Sequence, residues 1–96
     1  MEIEVVFWDD WNREHIKKHG CTIEDVEFVC SGDHVLIKES YKDRFVIAGP
    51  GPANRFFTVI IGADPKGPPG TWYPFSARPS SKGEIRKYEQ QRAGHQ

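Results

Sequence analysis

Apolar and acidic positions alternate at the start of the chain, where Ile3, Val5 and Phe7 are interleaved with Glu2 and Glu4. This period of two predicts a half-buried strand over residues 2–8. Asp9 or Asp10 then offers a short carboxylate to the free backbone N–H groups of a helix's first turn. That helix is expected over residues 11–19. It should stop at Gly20, which can take the left-handed conformation that follows many helix ends. Lys17, Lys18 and His19 fall in its last turn, where positive charge is favoured. Thr22 opens a second helix with Glu24 and Asp25 in its first turn. Val26, Val29 and Cys30 give that helix one apolar face, with Phe28 beside it, and Ser31-Gly32-Asp33 ends it.

Strand patterns follow. Residues 35–39 and 45–48 read as two strands joined by a turn at Tyr41-Lys42-Asp43, and Gly49-Pro50-Gly51-Pro52 is expected to break the chain. Residues 55–61 are the most apolar run and belong at the sheet centre. Residues 64–70 are rich in Pro and Gly and read as a rigid loop. Residues 71–77 form the last strand, in which Pro74 requires an edge or a bulge. Ser80 or Ser81 caps a final helix reaching about residue 91, and Glu84, three residues after Ser81, completes a capping box. Only Ile85 and Tyr88 are obviously apolar on that helix, and Gly94-His95-Gln96 reads as a frayed tail. Helices followed by a run of strands predict an α+β fold: a compact antiparallel sheet with two N-terminal helices and one C-terminal helix.

The 96 residues form a single domain, 1–96, with room for one modest core. No stretch approaches the roughly 20 apolar residues of a membrane span. The N-terminus lacks the basic start of a signal peptide, so cytoplasmic residence is the expectation. Cys21 and Cys30 have no CxxC spacing and read as free buried thiols. The net charge of −1 hides an asymmetry. Residues 1–40 hold four Lys and Arg against ten Asp and Glu, or −6; residues 41–96 hold nine against four, or +5. Such a split suits a nucleic-acid or charged-protein surface, and it equally suits two halves that face each other in the fold.

Two polar clusters carry the candidate chemistry. Asn12, His15 and His19 are spaced three and four apart and share one helical face. The histidines could act as acid and base, bind backbone or carboxylate groups at the helix end, or reach one metal ion; no third ligand is close in sequence. Arg78 stands between a strand and a capped helix, where it could hold an anion or pair with an N-terminal carboxylate. Lys82, Arg86 and Lys87 line the first turns of the last helix, as a solvated basic face or an anion site. Tyr88 reads as a half-buried anchor or a proton donor. Trp8, Trp11 and Trp72 could stack on bases, although core packing is the ordinary role for at least two of them. There is no Gly-rich phosphate loop, nucleophile elbow or zinc-finger pattern.

Taken together, Phe7-Trp8-Asp9, Lys18-His19-Gly20, the acidic helix from Thr22, Arg44-Phe45-Val46-Ile47-Ala48-Gly49, and Ser76-Ala77-Arg78-Pro79 followed by Glu84, Tyr88 and Glu89 resemble the BrnT family of bacterial toxins. That family belongs to the RelE-like ribonuclease group. The resemblance covers roughly residues 5–90. It implies a RelE-like antiparallel sheet, RNA cleavage without metal or other cofactor, and neutralisation by a small ribbon-helix-helix antitoxin. Toxin and antitoxin would pair as a heterotetramer that touches operator DNA only through the antitoxin.

The function expected is therefore an endoribonuclease toxin of a type II toxin–antitoxin pair. The ribose 2′-hydroxyl would attack the adjacent phosphate. His15 or His19 would move the proton, Arg78 with Lys82 or Lys18 would stabilise charge on the phosphate oxygens, and Tyr88 would position or donate. Lys18, Arg44, Arg55 and Arg86 are the expected RNA contacts. This arrangement requires Asn12, His15 and His19 to lie near Arg78. The alternative is a non-catalytic domain of the same fold that binds a ribbon-helix-helix partner and takes part in transcriptional control.

Overall fold

The computed structural model describes residues 2–94, so His95 and Gln96 of the expected frayed tail lie outside the described residues. The elements are β1 (Val5–Val6), α1 (Asp10–Lys17), α2 (Ile23–Ser31), β2 (Val35–Ser40), β3 (Arg44–Pro50), β4 (Phe56–Ala63), β5 (Thr71–Pro79) and α3 (Lys82–Ala93), with a 3₁₀ turn at Pro52–Asn54. The fold is α+β, with two helices before the main sheet and one after it. The strand order is β1-β5-β4-β3-β2, which places β4, the most apolar run, at the centre. The last four strands pair antiparallel, but β1 runs parallel to β5, so the sheet is mixed and not wholly antiparallel.

The first strand is also shorter than the alternation predicts, and its register flips. The N–H groups of Glu4 and Val5 both donate to the Gly70 carbonyl, at 3.0 Å each. Two residues facing one shift every later side chain to the other side, as in a bulge. Val5 and Phe7 are therefore 53% and 47% exposed, while Ile3, Val6 and Trp8 pack against the core.

The chain leaves β1 through a reciprocal cap. Asp9 Oδ1 accepts from the Asn12 N–H at 2.9 Å, and Asn12 Oδ1 accepts from the Asp9 N–H at 2.8 Å. Asn12 Nδ2 also donates to the Phe7 carbonyl at 3.0 Å, and the side chain is fully buried. Asn12 is thus a folding residue and not a member of an open site. Gly20 follows α1 with φ +77°, the left-handed stop that the sequence predicts. Thr22 and Asp25 repeat the reciprocal cap at the start of α2.

The expected break at residues 49–52 comes two residues late, because Gly49 and Pro50 remain in β3. Gly49 lies under the α2–β2 connection, where a Cβ would fall 2.3 Å from the Asp33 carbonyl oxygen. Glycine lets the strand continue there, and the chain turns only at Gly51, with Ala53 and Asn54 at φ 59° and 60°. In β5, the pairing slips between Ile60↔Ser76 and Ile61↔Pro74, so Phe75 is the extra residue of a bulge beside Pro74.

α1 and α2 cover one face of the sheet. Ile16, Cys21, Val26, Val29 and Cys30 pack there on Ile47, Phe57, Val59, Ile61 and Ala77. Both cysteines are free and buried, and burial pushes the Cys30 thiol up to about 12. Among the described residues no helix is long and apolar enough to cross a membrane.

The Asn12 assignment is testable by substitution. Asn12→Ala removes half of the reciprocal cap and the buried Asn12 amide's bond to the Phe7 carbonyl, so it should cost about 1–3 kcal/mol. Urea unfolding would measure this. A midpoint equal to the parent's would show that the Asn12 bonds do not hold the β1–α1 junction.

Candidate functional site

The core between the sheet and α1 and α2 leaves α3 aside, and α3 has no buried residue. It lies on the face of the sheet opposite α1 and α2, held mainly by polar contacts. Glu84 is their meeting point. Its carboxylate accepts from Arg78 Nη1 at 2.6 Å and Nη2 at 2.7 Å, from Thr58 Oγ1 at 3.0 Å and from the Ser81 N–H at 2.8 Å. Thr58 has one proton and gives it to Glu84, so the Ser80 hydroxyl, 2.7 Å away, donates to Thr58. The Arg78 fork, chiefly, holds the Glu84 carboxyl down at about 2, and Glu84 in turn raises Arg78 above its ordinary value. Further along α3, Lys87 Nζ donates to the Ile37 carbonyl at 2.8 Å, Tyr88 Oη donates to Asp33 at 2.8 Å, and Arg92 pairs with the same Asp33. The Tyr88 ring meets Phe56 edge-on at 5.4 Å.

These contacts separate the two clusters that the sequence brings forward. Ile16 of α1 and Ala77 of β5 share one core. Arg78 is the next residue, so its side chain projects from the other face, level with Thr58 in the ladder. His15 and His19 stay with the helix layer. The His15 ring stacks on the exposed Trp11 at 4.7 Å and meets His19 edge-on at 5.4 Å. The sheet therefore divides His15 and His19 from Arg78, Lys82 and Tyr88, and the expected histidine–arginine pocket does not form. Lys18 and Arg55 also belong to the helix side; the Arg55 guanidinium lies 4.9 Å over Phe57, a core ring of that face. Arg44 and Arg86 belong to the α3 side. Among the described residues no group of three or more His, Cys, Asp or Glu side chains gathers as a metal site.

Arg78 pairs within its own segment, six residues along the chain, and not with an N-terminal carboxylate. Even so, its side chain is 47% exposed. A guanidinium carries five N–H donors, and Glu84 takes two. Among the described residues the other three have no partner, and the fork fixes their direction; Lys82, in the first turn of α3, is exposed.

Sequence reasoning missed the other end of this face. Tyr73 Oη donates to both oxygens of Asp9, at 2.9 and 3.0 Å. Burial, chiefly, then the Asp9 bond push the phenol up to about 12, while the Asn12 N–H and Tyr73 hold Asp9 low. The Tyr73 ring lies 6.2 Å from Phe7 and 4.8 Å from Phe75, and the Arg44 guanidinium lies 3.7 Å over Phe75. A groove of about 740 Å³ opens there between β1, β5 and the 64–70 loop. The one hint in the sequence is Pro74, which announces the bulge. Trp8 and Trp72 pack on the core as their ordinary role suggests, and only Trp11 is largely exposed.

Comparison with protein-family models, curated proteins and solved structures finds no match for this chain.

The Arg78–Glu84 pair has a consequence in acid. A carboxyl whose folded pKa lies below its ordinary 4.5 contributes stability that is present above 4.5 and lost as pH falls toward 2. The parent's thermal midpoint should therefore fall through that window, and Glu84→Gln should start lower at neutral pH and fall less. Parallel midpoint–pH curves for the two proteins would remove Glu84 from this role.

Proposed function

We propose that this chain is a BrnT-like toxin domain that acts on RNA as a metal-independent endoribonuclease, with the phosphate met on the α3 side of the sheet. The observation that carries the reading is the state of Arg78: fixed bidentately by Glu84, half exposed, and left with donors that no described residue takes. A planar cation held in advance is suited to charge that develops on phosphate oxygens as the 2′-oxygen bonds to phosphorus and the 5′-oxygen leaves, with water taking the 2′-hydroxyl's proton and returning one to the 5′-oxygen. Arg86 and Arg44 extend the positive charge on the same side, while the acidic α2 lies on the other. The chemistry differs from the sequence expectation in one respect. His15 and His19 lie across the sheet and take no part, and Tyr88 donates to Asp33 and serves as an anchor. A small ribbon-helix-helix antitoxin remains the partner that the resemblance implies.

The second reading is a non-catalytic domain that binds such a partner. It is favoured by the separation of the histidines from Arg78, which leaves the α3 side without the expected proton carrier.

Induced expression of the chain alone, followed by cleavage assays on the purified protein, separates the two. The ribonuclease reading expects growth arrest and RNA cleavage. The His15→Ala/His19→Ala double variant should cleave as the parent does. Arg78→Lys, which loses the fork, should cleave about a hundredfold more slowly. Folded protein that neither arrests growth nor cleaves RNA would establish the second reading instead.

A further inference from the structure

The groove beside β5 is built by several features of the fold. The bulge turns Phe75 out of the ladder. Gly62, across from Tyr73, makes room for the ring, since a Cβ there would lie 3.0 Å from the edge of Phe75. Arg44, whose neighbour in the ladder is the same Gly62, then stacks on the ring from the next strand. Tyr73 is locked by its bonds to Asp9, and Phe7, displaced outward by the register flip in β1, completes a row of three rings.

We infer that this row, Phe7–Tyr73–Phe75 closed by Arg44, is a base-stacking subsite for single-stranded RNA. It rests on the reading of RNA as the target and names how that target would be held. Aromatic rings with an adjoining arginine receive unpaired bases by stacking and cation–π attraction, whatever the base. An apolar peptide would make no use of the guanidinium on Phe75. Two carboxylates line the groove, Asp9, which accepts from Tyr73 and Asn12, and Asp64, which accepts from the Lys66 N–H. Lys66 stands on the rim as a cation for the backbone. Phe75 and Arg78 are three residues apart on one strand, about 10 Å. A strand with one phosphate at Arg78 and Lys82 would lay its neighbouring bases on the rings. Duplex RNA, with its bases paired and stacked, would not reach them.

The test is binding of a fluorescein-labelled, fully 2′-O-methylated RNA octamer of mixed sequence to the full chain, followed by anisotropy. The 2′-O-methyl groups block attack by the 2′-hydroxyl, so binding is read apart from cleavage. Phe75→Leu and Phe7→Leu should each weaken binding about fivefold or more, with the parent's melting midpoint nearly kept. The same octamer in a duplex should bind less tightly than the single strand and show no dependence on the rings. Phe7 is on the rim, so its variant decides the matter if Phe75→Leu fails to fold. Parent-like affinity in the folded ring variants, or equal affinity for the duplex, would overturn the subsite. So would no binding at all, which would leave the groove to a protein segment. Ring-dependent binding without cleavage or growth arrest would overturn the ribonuclease reading alone. Cleavage lost in Arg78→Lys but intact in both ring variants would overturn the subsite alone.

Discussion

A helix with nothing large to bury must be held by something other than apolar packing, and this constraint shapes the α3 side of the molecule. α3 offers the sheet only partly buried Ile85 and Tyr88. Glu84 supplies what is missing. It closes the cap of α3 through Ser81, reaches the central strand through Thr58, and fixes Arg78 at the end of β5. One carboxylate thus ties three elements together. Exposed ion pairs usually contribute little, about 0–1 kcal/mol, but this one is bidentate, shares its oxygens with two further donors and has only 15% of the Glu84 side chain exposed. Asp33 does the same work at the far end of the helix for Tyr88 and Arg92.

That role decides which polar residues are left for a ligand. Tyr88 and Lys87 already hold partners. Arg78 is engaged but not saturated, which distinguishes a cation that is merely used by the fold from one that the fold orients. Lys82 and Arg86 stay exposed on the first turns of the same helix. The anchoring of α3 at one end of the face leaves the other end uncovered, where the bulge at Phe75 and the register flip at Val5 together turn aromatic rings toward the groove.

The elements were largely legible because each is governed by neighbours in the chain. Asp9 or Asp10, Thr22, and Ser80 or Ser81 announce three helix starts, of which the fold uses Asp9, Thr22 and Ser81; Gly20 announces a stop, and Pro74 an edge or a bulge, of which the fold makes a bulge. The parallel pairing of β1 was not legible. It depends on Gly70, more than sixty residues away, accepting two N–H groups at once. The candidate site was less legible for the same reason. The spacing of His15 and His19 correctly puts them on one side of α1, yet nothing in that spacing says which face of the sheet α1 will cover. That is settled by Ile16, which must join the core with Val59 and Ala77. Arg78 follows Ala77 and is sent the other way by the alternation of a strand.

The same sheet turns the charge asymmetry of the chain into an asymmetry of faces. The acidic first part of the chain supplies α2, with Glu24 and Glu27 exposed, and the basic remainder supplies α3, with Lys82, Arg86, Lys87 and Arg92. Apart from the Arg92–Asp33 pair, the two sets do not neutralise each other, because the apolar core and the sheet stand between α2 and α3. A net charge of −1 therefore says little about what this protein attracts. Local fields, and not the total, steer a charged partner as it approaches. The exposed cations of the α3 side and the exposed carboxylates of α2 therefore present two different surfaces to anything charged.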